Sequence, residues 1–177
     1  LIFLFSILIS FNSYGEDLNS LFEISLNENV EKYISSKYIN SNKFKNTETI
    51  EGFYDLDISE KIKTKSPYFS EYEITFDAGN LVQAIYADQK LHILEICKAV
   101  KNDLISEFEK KYLIEFNYGE TPYPSFKTYT NIAFAGNDNY LVLQCHESYE
   151  KPLIKLQLFL ASTALGKAID DFYNAGL

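Results

Sequence analysis

The sequence predicts a single α+β domain. Its mostly antiparallel sheet, of about five or six strands, carries a long amphipathic helix and a C-terminal helix packed on one face. Three observations lead there. Two hairpin patterns flank one long helical pattern, which puts helices against an antiparallel sheet. The chain has 177 residues, enough for one sizeable core. A hydrophobic content of 46% with only Gly 7 and Pro 4 excludes collagen-like and wholly disordered chains.

In chain order, residues Leu1 to Phe11 come first, nine of the eleven apolar and none charged. The run falls short of the ~20 residues that cross a bilayer, and it matches the apolar region of a secretory signal. Ser13 and Gly15 are the small residues that precede a cut before Glu16. Residues 1–15 therefore read as a signal-peptide remnant and residues 16–177 as the mature domain, periplasmic or secreted and without a transmembrane segment. The alternative is an apolar first strand or helix of the fold.

Leu21–Leu26 reads as a short strand. Asn27 is placed to cap a brief helix over Asn29 to Ser36, with Val30, Tyr33 and Ile34 on one side. Lys37 to Gly52 is polar and aperiodic, a surface excursion. Phe53–Ile58 alternates as a strand does. Glu71–Asp77, the turn Ala78-Gly79-Asn80 and Leu81–Ala87 form a hairpin.

The strongest helix runs from His92 to Tyr112. Ile93, Ile96, Cys97, Val100, Leu104, Phe108 and Tyr112 line its apolar stripe, with Lys98 and Lys101 outside it. Leu113 to Phe126 holds Gly119, Pro122 and Pro124 and reads mostly as loop. Phe126–Phe134 and Tyr140–His146 make a second hairpin around Gly136-Asn137-Asp138-Asn139. Leu153–Leu160 is a further strand, and Ser162–Tyr173 a terminal helix that Gly176 would stop.

This order puts Cys97 on the helix stripe and Cys145 on an apolar strand face, so a disulfide between them would staple helix to sheet. It would close a loop of about 49 residues and contribute roughly 4 kcal/mol. An oxidising compartment favours the bond. The alternative is two buried thiols acting as small hydrophobes.

Charge narrows the partners. All 16 basic residues are lysines, set against 25 acidic ones, for a net charge of −9. Without arginine or a basic track, nucleic acid is excluded as the expected partner.

Chemistry is sparse, and the sequence names no catalytic residue, cofactor or metal site. His92 with Glu95 and His146 with Glu147 belong to no zinc pattern. Cys145 and His146 are strand neighbours that point to opposite faces. Ser148 and Lys151 have the Ser-x-x-Lys spacing but lack the companion motifs. Asp55 and Asp57 share a strand face without a visible cleft to separate their roles.

The aromatic content is more informative: Tyr 14 and Phe 14, 16% of the chain with no Trp. Tyr118, Tyr123, Phe126 and Tyr129 crowd the Pro-containing loop. Turn tyrosines bury large area at low entropic cost, so these four are the candidate interface, against the plain reading that they fill the core. The expectation is an exported small binding protein (an inhibitor, immunity or accessory factor) that meets a protein partner in the envelope or extracellular space. The alternatives are a small secreted hydrolase with a carboxylate/His site and a small-ligand or lipid carrier.

Overall fold

The computed structural model describes residues 18–45, 50–134 and 139–168. The expected signal remnant, most of the second hairpin's turn and residues 169–173 of the expected terminal helix lie outside them. The described residues form an α+β domain built on one antiparallel sheet, with a two-stranded ribbon beside it.

The ribbon, β1 (Ser20–Leu21) and β2 (Ile24–Ser25), replaces the single expected strand. Phe22 and Glu23 both adopt left-handed φ, 53° and 67°, and reverse the chain between the two strands. Phe22 then packs edge-on against Tyr72 and Phe69. Asn29 caps a 3-10 turn at Val30–Lys32 by accepting from the Glu31 N–H at 2.8 Å. Ser35 caps α1 (Ser36–Asn42), which beyond Ser36 falls in the stretch expected to be irregular. α1 buries only Ile39, so a polar seven-residue helix left no periodic signal.

The main sheet is ordered β3-β4-β5-β6-β10-β9-β8-β7. Its first edge is the two-residue β3 (Phe44–Lys45), and seven longer strands make its body. β4 (Phe53–Asp57), β5 (Glu71–Asp77) and β6 (Val82–Leu91) follow in sequence. Asp77 shapes the β5–β6 turn by accepting from the backbone N–H groups of Gly79 (2.8 Å) and Leu81 (3.0 Å), with Asn80 at φ 63°.

α2 (Leu94–Tyr112) ends where Leu113 turns left-handed at φ 53°. Beyond it lies a strand that the sequence reading took for loop, β7 (Asn117–Pro122). All six of its residues are exposed, so it shows none of the apolar alternation that marks a half-buried strand. β8 (Phe126–Phe134), β9 (Asn139–Ser148) and β10 (Ile154–Ser162) complete the sheet.

β10 therefore sits in the middle, pairing Leu156 with Gln89 of β6 on one side and with Cys145 of β9 on the other. Leu56, Ile74, Ile85, Leu156, Leu160, Leu141 and Leu143 are fully buried in one cluster with the N-terminal segment and α2, on what we call the inner face. Cys97 of α2 is bonded to Cys145 of β9 (S–S 2.11 Å, Cα–Cα 6.1 Å), the expected staple. Residues 163–168 are helical, and their Leu165 packs with Ala84 and Ala161 on the outer face of the sheet, whereas the expectation set the terminal helix beside the long helix.

Two details of the long helix differ from the expected stripe. Lys101 is buried together with Cys97 and Leu104, while Ile93 and Ile96 are exposed. Lys101 falls four residues after Cys97, one turn on, and so looks onto the sheet.

Candidate functional site

Register decides where the four aromatic candidates stand. Tyr118 of β7 is opposite Asn131 of β8, and Tyr129 is opposite both Glu120 and Cys145, so both rings belong to the inner face beside α2. Phe126 is opposite Ser148 on the outer face and stacks on His146 at 4.4 Å. Tyr123, in the β7–β8 turn, stacks on Phe126 at 4.4 Å. The hairpin thus carries one pair on each face of the sheet instead of a single aromatic loop.

The pairs also differ in exposure. Tyr118 is 58% exposed and Tyr123 45%, whereas Tyr129 is only 7% exposed. Tyr129 is held by Lys98, whose Nζ sits 3.8 Å from the ring centroid, and its hydroxyl donates to Glu147 at 2.9 Å. Tyr118 and Tyr123 are therefore the exposed rings of the four, and Phe126 backs Tyr123.

A lysine network fixes the hairpin to the helix. Lys101 Nζ donates to the Tyr129 carbonyl (2.9 Å) and to Asn131 Oδ1 (2.6 Å), with the Tyr118 ring centroid 5.1 Å away. Burial, and then the neighbouring Lys98 charge, pull its ammonium down to about 8. Lys127 bonds the Glu120 carboxylate at 2.5 Å, and the Tyr118 hydroxyl donates to that carboxylate as well. These hydrogen bonds hold the Glu120 carboxyl below its ordinary range. The sequence reading missed Lys101; its i+4 spacing from Cys97 was the available signal.

The carboxylates gather elsewhere on the outer face. Glu73 is opposite Asp57, with Asp55 one row away, and Asp55 accepts from Thr75 at 2.5 Å. Burial, followed by Asp55, Asp88 and Asp57, pushes Glu73 up to about 7. Hydrogen bonds from Thr130 to Gln144 (3.2 Å) and from Gln144 to Gln157 (2.8 Å) cross the middle of that face. His146 lies beyond them, opposite Lys155. Asp88 stands two strands away with β10 between, roughly 10 Å, too far for a direct acid–base hydrogen bond. Burial and then the Lys155 charge lower the His146 imidazole below its ordinary value.

A cleft of about 390 Å³ opens beside α1, lined by Tyr33, Lys37, Tyr38 and Lys61 among others. Among the described residues, no group of three His, Cys, Asp or Glu side chains is placed to hold a metal ion. No described helix is long and apolar enough to cross a membrane. No family model, curated protein or solved structure matches the chain.

Proposed function

We propose that the chain is an exported binding protein, an inhibitor, immunity or accessory factor, that engages a protein partner through the β7–β8 hairpin and performs no catalysis. The observation that carries this reading is the exposure of Tyr118 and Tyr123 on the sheet's outermost hairpin, backed by the buried Tyr129 and by Lys101. Tyrosines held on a rigid support bind at low entropic cost, which suits an interface anchor. The Cys97–Cys145 bond fits a periplasmic or secreted life, where thiols oxidise.

The test compares wild type with Tyr118→Ala/Tyr123→Ala as baits in envelope extract, with mass spectrometry of what each retains. The double variant should keep the wild-type melting temperature and lose at least about tenfold of the specific capture, since two anchors are removed. Equal capture by both baits would remove the hairpin from the model.

A further inference from the structure

We infer that the partner is read through the backbone of β7: an extended segment adds to its outer edge as a ninth strand of the main sheet. This rests on the binding function proposed above and goes further by naming the mode of contact and the chemistry of the partner. β7 ends the sheet order, and every one of its residues is exposed.

The ladder shows which backbone groups are free. The Tyr123 N–H donates to the Phe126 carbonyl at 2.8 Å, closing the hairpin. Inter-strand bonds in an antiparallel pair then alternate, so Thr121, Gly119 and Asn117 direct their backbone groups towards β8. The Thr128 hydroxyl, 3.5 Å from the Thr121 carbonyl, is consistent with that direction. Tyr118 and Glu120 therefore turn their N–H and C=O groups outwards, and Pro122 adds an outward carbonyl with no N–H. A proline at such a position is compatible with an edge strand and marks where pairing stops.

Proteins guard open edges with outward charges, bulges or covering segments. Among the described residues no outward charge, bulge or covering segment guards β7, and Pro122 blunts only its end. Its one charged side chain, Glu120, is folded back onto Lys127 and the Tyr118 hydroxyl. The register from Asn117 to Pro122 is continuous, without a bulge.

Gly119 adds a requirement on the occupant. A Cβ built there meets nothing within 4 Å, so the strand has a bare spot. Gly119 bonds inwards, and an added strand would meet it at a close, non-hydrogen-bonded position where side chains approach most nearly. An aromatic side chain of the incoming segment would cover that glycine. The partner is thus an extended polypeptide with free alternating amides and an aromatic residue across Gly119. A second copy is disfavoured, because each chain carries a net charge of −9.

The probe is a phage-displayed library of unstructured twelve-residue peptides, selected on the immobilised disulfide-bonded chain. Glu120→Pro deletes one outward N–H and the Lys127 ion pair while sparing the backbone ladder to β8, and Glu120→Gln removes the charge of that pair alone. Selected peptides should carry an aromatic residue, lose at least about tenfold in affinity for Glu120→Pro and stay within about twofold for Glu120→Gln, because backbone bonds carry the contact. If Glu120→Pro disturbs the fold by circular dichroism, amide exchange on the wild-type complex replaces it, and Tyr118 and Glu120 must slow on peptide binding.

Equal binding to Glu120→Pro, with loss on Tyr118→Ala/Tyr123→Ala, overturns strand addition and leaves the proposed surface standing. Binding indifferent to all these changes overturns both. Selection of no peptide overturns strand addition. Self-association in sedimentation that Glu120→Pro abolishes gives the edge to a second copy and overturns the inference.

Discussion

Strands β6, β10 and β9 lie at the middle of the sheet and β7 at its rim, and different forces hold the two regions. The middle is apolar and covalently fixed: Leu141, Leu143, Leu156 and Leu160 are fully buried, and the disulfide ties β9 to α2. The rim is polar and, among the described residues, paired on one side only, by its ladder to β8, with the Lys127–Glu120 ion pair and the Tyr118–Glu120 hydrogen bond beside it. Its neighbour β8 is in turn fastened to the helix by Lys101. Burial is concentrated in the middle of the sheet, and the exposed rim contributes little to it. An exposed strand of this kind can vary its side chains without endangering the fold.

A denaturant series would break this comparison if it were wrong. Cys97→Ala/Cys145→Ala should lose up to about 4 kcal/mol in urea unfolding, the loop-closure contribution of the bond. Leu143→Ala should lose about 2–5 kcal/mol, because a fully buried leucine leaves a cavity. Tyr118→Ala, at the exposed rim, should change stability by less than about 0.5 kcal/mol. A rim variant as damaging as Leu143→Ala would mean that β7 belongs to the core.

Lys101 links the two regions and gives a smaller, pH-dependent effect. Its folded-state pKa of about 8 lies below the ordinary 10.5. Between those values the unfolded chain binds the proton and the folded chain does not, so stability attributable to this group rises as pH increases from about 8 towards 10.5. Wild type should therefore gain stability relative to Lys101→Met between pH 8 and 10 in parallel urea titrations. Parallel curves for the two proteins would place the ammonium in water.

Much of the architecture is legible in the residues because burial writes a period into them. α2, β9 and most of β5 and β10 have one face inside, and the first half of β6 is covered on both, so their apolar positions recur accordingly. The same patterns set Cys97 and Cys145 on facing surfaces. Segments that bury little leave no such record. α1 hides one residue and β7 none, so both resemble loop.

The long helix shows a different limit. Its apolar stripe extends past the covered region, leaving Ile93 and Ile96 exposed, and it fails to reveal that Lys101 buries its stem and finds two oxygen acceptors. Composition alone marks the four hairpin aromatics. Their division between two faces follows from strand register, which is invisible while Asn117–Pro122 is taken for loop. The outward-facing backbone of Tyr118 and Glu120 is a property of pairing and cannot be read from residue types.

The central claim is that β7 is bonded on one side and free on the other. Residue-resolved amide hydrogen exchange of the disulfide-bonded chain, without any partner, tests it directly. The account predicts alternation: slow exchange at Gly119 and Thr121, and exchange close to that of an unstructured chain at Tyr118 and Glu120. Uniform protection at all four amides would mean the edge is already covered, uniform lack of protection would mean there is no strand, and either result would contradict the account.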